Sequence, residues 1–335
     1  MNDILNKNRV KLVSLIMMFF VVTIHTDIEY FYSLSKATTM FDKILSNLFN
    51  YIQNGICRVA VPYFMFKAGY LYFIDFDGTI DNYKKKCIRR LKTLVIPYIL
   101  WNFINWLFTY LICIIPFISK YVANREPIPI SFTNMLKIIF LREAFLPNWF
   151  LQYLIIFSFI IPLFYKYLKK FIGLVIIFIN IYIYILTKSS YIYYLSFYLV
   201  GVYFSLNAKF LKNKINPMIL CMTFLFFSYF VYKNEMNIVL SIIVHILNVL
   251  CIWYASVLIP DLYPLGLDIS FLIYETHEII FSIVFKFLYI VLPKTILCGI
   301  INYILMLFFG FIITYIIFNM VKKINSKVYY FIGGK

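Results

Sequence analysis

Acidic charge is scarce in this chain, with 14 Asp and Glu against 31 Lys and Arg and three His over 335 residues. Glycine and proline are few, at 10 and 11. No matching pair of Gly/Pro-broken apolar segments stands out, which counts against a transporter built from inverted repeats. The six cysteines form no CxxC, no Cys/His metal spacing and no disulfide framework. Cys57, Cys113, Cys221, Cys251 and Cys298 lie in apolar runs and Cys87 in a basic stretch, so they read as packing residues and no metal site is assigned. The formal charge of +17 comes without a nucleic-acid motif or a soluble module to carry one, which excludes nucleic acid as a partner. Lys7, Arg9 and Lys11 precede the first apolar run, but charged and aromatic residues follow it where a signal peptide would end in small ones. That run is therefore expected to stay as a first membrane span.

Apolar residues are what the chain has in abundance: 63% of the total, a third of them aromatic at 21%. Runs of about 20 residues, enough to cross a hydrocarbon layer of about 30 Å, recur from end to end. The expectation is a single all-α, polytopic membrane domain covering residues 1–335. It is a bundle of about ten transmembrane helices, near 13–33, 54–74, 94–118, 149–165, 171–187, 190–206, 217–232, 237–258, 267–284 and 296–319. An even number puts both termini on one side, and with that side cytoplasmic most Lys and Arg also fall there, as the positive-inside rule requires. The densest basic cluster is KKKCIRRLK, Lys84 to Lys92. It reads as a topology anchor on anionic headgroups or as an attractor for a phosphate-bearing cytoplasmic donor. The segment Ser119 to Asn148, with REPIPI and the short apolar NMLKIIFL, is expected at the outer interface.

Ionisable residues inside spans are costly and mark functional sites by default. LIMMFFVVTIHTDIEYF, Leu15 to Phe31, places His25, Asp27 and Glu29 in such a run. On a continuous helix Ser14, Met18, Val21, His25 and Glu29 would share a stripe, because spacings of three, four and eleven residues return to one face. At 1.5 Å per residue His25 is roughly 18 Å, and His277 roughly 15 Å, from the inner ends of their spans. Glu275 and Glu278 accompany His277, and Arg58 and Lys67 lie in the second span. An imidazole beside a carboxylate is the equipment of a general base acting on a hydroxyl. His245 has no charged neighbour in its span and reads as structural.

The order of these pieces resembles the acyltransferase 3 family of bacterial integral-membrane O-acyltransferases. FFVVTIHT with His25 is similar to its first-span histidine motif, and RVAVPYFMFKAGYLYF, Arg58 to Phe73, to its arginine-plus-VPFFF-SGY segment. KKKCIRRLKTLVIPYILWNF, NWFLQYLI, SFYLVGVYFS and SFLIYETHEII are similar to its basic loop with PY-W, its WFL motif, its FxxG helix and its IYxxH segment. Two positions depart from the pattern: Ser14 stands where the family usually has arginine, and Ala68-Gly69 where it has Ser-Gly.

The resemblance implies transfer of an acyl group, usually acetyl, from cytoplasmic acyl-CoA (acetyl-CoA) to a hydroxyl of an envelope polysaccharide or lipid-linked sugar. The acyl-CoA is a donor substrate, and no permanently bound cofactor is implied. The implied place is the bacterial cytoplasmic membrane. His25, Glu29, Asp27 and Arg58 become the catalytic candidates. Lys67, Lys84, Lys85, Lys86, Arg89 and Arg90 become the donor-binding ones, with Lys67 a substitute for the missing arginine. Ser14, Tyr274, His277, Glu278 and Trp149 are expected to line the site. Two other readings stay open: a transporter or flippase of a lipid-linked sugar or solute, and a family member that has lost catalysis.

Overall fold

A computed structural model describes residues 7–26, 28, 32–33, 39–114, 131, 133–134, 136–137, 148–207, 216–233, 238–256 and 269–333. Among the described residues all regular structure is helical. In chain order the elements are α1 (Lys7–Ile24), α2 (Met40–Tyr51), α3 (Ala60–Phe73), α4 (Ile80–Arg90), α5 (Ile96–Ile114), α6 (Trp149–Ile160), α7 (Lys170–Thr187), α8 (Ser190–Leu206), α9 (Pro217–Lys233), α10 (Ile238–Ala255), α11 (Ser270–Val291), α12 (Ile296–Ile324) and α13 (Ser326–Ile332). A π-helical turn, Ile52–Ile56, and a 3-10 turn, Cys57–Val59, join α2 to α3.

The chain is an all-α membrane protein. Among the described residues five helical stretches are long and apolar enough to cross a bilayer: Ile80–Phe108, Trp149–Leu168, Lys170–Thr187, Ile238–Ala255 and Ile296–Ile324. Ser190–Leu206 and Pro217–Lys233 are shorter apolar helices, and the expected count of about ten crossings is not confirmed. Phe171, Phe178 and Leu186 on α7 and Ile304 and Phe308 on α12 are large and exposed. Such faces would be a liability in water and are natural against lipid. The expected outer segment, 119–148, falls mostly outside the described residues.

The helices group into two compact units, residues 1–76 with 164–319, and residues 77–163 with 320–335. In the first unit the tightest pairing is α3 against α8. A Cβ built on Gly69 would lie 2.3 Å from the Tyr198 carbonyl oxygen, and one on Gly201 2.1 Å from that of Phe66. Both glycines belong to the family-like motifs, and what they supply is close backbone approach between two helices. Phe66, Tyr70 and Trp253 extend the contact from α3 to α10, with ring centroids 4.9 to 6.1 Å apart. Asn180 of α7 donates to the Ile192 carbonyl (3.0 Å) and the Ser196 hydroxyl (2.7 Å) of α8. Helix α1 packs on α11, on α3 and on the 3-10 turn before α3.

In the second unit the basic cluster is helical instead of a loop. Thr79 caps α4, its hydroxyl accepting from Asn82 N at 3.2 Å, and α4 runs through the π-helical turn Leu91–Val95 into α5. The backbone N–H and hydroxyl of Thr79 hold the exposed Asp77 carboxyl below the ordinary carboxylate range. Lys84, Lys85 and Arg89 are exposed and Lys86 and Arg90 half-buried. Inside the unit Asn148 donates to Asn102 (2.8 Å) and Trp101 to the Ile332 carbonyl of α13 (3.0 Å).

Candidate active site

The first span does not continue as one helix to residue 33. Helix α1 closes at Ile24, and His25 sits in the turn at its C-terminal end. Two threonines weaken continuation by bonding back along the helix, Thr23 to the Phe19 carbonyl (2.8 Å) and Thr26 to that of Val22 (2.9 Å). Closing a helix inside the protein orphans its last carbonyls, and a side chain from the π-helical turn takes them. Gln53 Nε2 donates to the Thr23 and Thr26 carbonyls, at 3.0 and 2.9 Å, with a longer 3.5 Å contact to that of Ile24. The amide thus brackets His25 in the chain. Thr23 is also bonded across to the Tyr303 hydroxyl of α12 at 2.6 Å.

His277 meets His25 from α11. The ring centroids are 5.3 Å apart, with the planes at 55°. His277 is almost wholly buried, at 2% exposed, while His25 is exposed. His277 Nδ1 is 2.5 Å from the carbonyl oxygen of Tyr274. A carbonyl can only accept, so Nδ1 carries the proton and, in the neutral ring, Nε2 holds the lone pair. That Nε2 is buried with no hydrogen-bond partner. The Tyr274 ring stacks on His277 at 6.1 Å and 30°, which fixes the plane of the imidazole.

Glu278, half-exposed, completes the cluster: one ligand-type atom each from His25, His277 and Glu278 all lie within 4.8 Å of one another. Glu275 is absent from this group; it is fully buried, with neither carboxylate oxygen hydrogen-bonded. On a helix, residues 275 and 277 point to nearly opposite sides whereas 277 and 278 are adjacent. Two imidazoles and a carboxylate, one imidazole held in a single tautomer, are groups able to take and give a proton.

A family model described as an acyltransferase domain matches residues 10–319. The chain belongs to the acyltransferase 3 family. Neither the comparison with curated proteins nor that with solved structures returned a match.

The remaining candidates of the acyltransferase fall in several places. Asp27 and Glu29 lie outside the described residues. Lys67 on α3 donates to the Ser14 hydroxyl of α1 at 2.7 Å, and Ser14 in turn donates to the Val10 carbonyl at 2.6 Å. The ammonium also lies 4.8 Å from the centre of the Phe64 ring. A cation thus stands at the position where Ser14 replaces the usual arginine. Arg58 is exposed and donates to Asn54 Oδ1 at 2.8 Å. His245 is held by the Ser241 carbonyl at 2.7 Å. Lys84, Lys85, Lys86, Arg89, Arg90 and Trp149 belong to the second unit, where Trp149 opens α6 with its ring 5.2 Å from that of Tyr153. Gln53 escaped the sequence reading. Its signal was an amide pair, Gln53 and Asn54, at the start of the second apolar run, after a first run that breaks at Thr-Ile-His-Thr.

Proposed function

We propose that this acyltransferase moves an acyl group, acetyl by preference, from cytoplasmic acyl-CoA to a hydroxyl of an envelope polysaccharide or lipid-linked sugar. The observation that carries the reading is the cluster of His25, His277 and Glu278, with one ligand-type atom from each within 4.8 Å of the others and the His277 Nε2 buried without a hydrogen-bond partner. The acceptor oxygen attacks the thioester carbonyl, the C–O bond forms and the C–S bond breaks. An imidazole takes the hydroxyl proton and returns it to the departing sulfur, which leaves as the CoA thiol. His25 is the base in this reading. The carbonyl-rich end of α1 favours the positive charge it acquires, and Glu278 stabilises the same charge.

Lys67 is the donor anchor. Ser14 precedes His25 by eleven residues, roughly 16 Å along α1 at 1.5 Å per residue. An ammonium at the level of Ser14 therefore takes a CoA phosphate while the pantetheine arm carries the thioester toward the imidazoles. Lys84 to Lys86, Arg89 and Arg90 gather the polyanionic donor, or anionic headgroups, at the cytoplasmic face of the bacterial membrane. Arg58 is assigned to the acceptor. Both termini are cytoplasmic in this arrangement.

The test is transfer of labelled acetyl from acetyl-CoA to envelope glycan by membranes carrying the chain, with and without His25→Ala. The expected result is labelled glycan whose formation stops in the variant. Label that never leaves CoA while a lipid-linked sugar still crosses the membrane would replace the enzyme with a transporter.

A further inference from the structure

We propose that His25, His277 and Glu278 also bind a divalent transition-metal ion of the zinc class, and that occupancy by the ion switches acyl transfer off. Two imidazole nitrogens and one carboxylate oxygen are a donor set that zinc accepts, leaving a fourth position open. The three donor atoms lie within 4.8 Å of one another. In a tetrahedral site with bonds of about 2.0–2.1 Å, donors stand roughly 3.3 Å apart, so no gap in the cluster has to close by more than about 1.5 Å on binding. His277 has the outer partner that metal-bound histidines use, a backbone carbonyl on Nδ1 that fixes the tautomer and aims the other nitrogen. Its Nε2 is buried without a hydrogen-bond partner, a costly state that a metal bond relieves. His25 is exposed and Glu278 half-exposed, which gives the ion access. No spacing along the sequence announces such a site, because the donors come from the end of α1 and from α11.

The switching half of the proposal rests on the acid–base reading above: an ion that takes the lone pairs of both imidazoles leaves none for the hydroxyl proton. The experiment uses the full chain in lipid nanodiscs without a polyhistidine tag. Co²⁺ alone is titrated and followed by its visible ligand-field spectrum, and Zn²⁺ is then added as competitor. The expected result is saturation at one Co²⁺ per chain, displacement by Zn²⁺, and affinity weakened in His277→Gln and in Glu278→Gln by at least the roughly 10- to 100-fold that loss of a mere outer partner costs. A Zn²⁺-dependent rise in the melting temperature of the unsubstituted chain checks binding without any variant. Absence of a saturable spectrum, or equal affinity in His277→Gln, overturns the site. Acyl transfer is measured on the same samples with Zn²⁺ in excess over released thiol, and it should fall in step with occupancy. Metal bound with transfer undiminished overturns the switch and the base assignment together, leaving the site itself. Failure to bind metal, with transfer still abolished by His25→Ala, removes the site and keeps the base.

Discussion

Replacing Gln53 tests whether the break that presents His25 is held from outside α1. An amide has two hydrogens, so the 3.0 and 2.9 Å bonds to Thr23 and Thr26 use them, and the 3.5 Å contact with Ile24 is shared. Gln53→Ala removes two bonds worth about 0.5–1.5 kcal/mol each, so the unfolding free energy should fall by about 1–3 kcal/mol. Gln53→Glu keeps the shape and reverses the chemistry, since a carboxylate can only accept and would face carbonyl oxygens. The larger effect is on geometry: displacement of a reacting group by about 1 Å costs on the order of 100-fold in rate. Steady-state acyl transfer in nanodiscs should therefore show kcat lowered roughly 10- to 100-fold in both variants, with KM for acyl-CoA unchanged because the Lys67 anchor is untouched. Thermal unfolding, run in parallel, separates loss of fold from loss of position. A kcat equal to that of the unsubstituted chain in Gln53→Glu would show that His25 does not depend on this amide, and the positioning argument would be wrong.

Two further outcomes are expected. Lys67→Met should weaken binding of a non-hydrolysable acyl-CoA analogue by about tenfold or more, since a charge-assisted hydrogen bond contributes about 1.5–3 kcal/mol; calorimetry showing unaltered affinity would remove Lys67 from the donor site. Gly201→Ala should lower stability by about 1–3 kcal/mol, because its Cβ meets the Phe66 carbonyl oxygen at 2.1 Å, and an unshifted unfolding midpoint in detergent would contradict the packing.

Much of this architecture is legible in the sequence because lipid makes hydrophobic length a direct readout of helix. The runs expected near 171–187, 190–206 and 217–232 correspond within a residue to α7, α8 and α9. Periodicity failed where a helix ends early. The stripe from Ser14 to Glu29 assumed one uninterrupted helix, and α1 stops at Ile24 because Thr23, Thr26 and Gln53 offer its carbonyls and hydroxyls other partners. Such competition depends on a residue from another segment and cannot be seen in a window of α1 alone. His25 and His277 stood out in the sequence as protonatable groups in apolar runs. That they meet, and that Glu278 joins them in place of Glu275, is decided by how α11 is rotated against α1. The tautomer of His277 depends on a local carbonyl that no residue type reveals.

The Lys67–Ser14 bond has one more consequence. Helix α3 is locked to α8 by its glycine contacts, and the interval from Ser14 to His25 is set by the pitch of α1, so Lys67 and His25 stand at a fixed spacing. Under the proposed function that spacing is a ruler for the carrier and not for the cargo. Donors with the same arm and different acyl chains should then engage it alike, whereas truncated thioesters should reach the imidazoles only by giving up the cation.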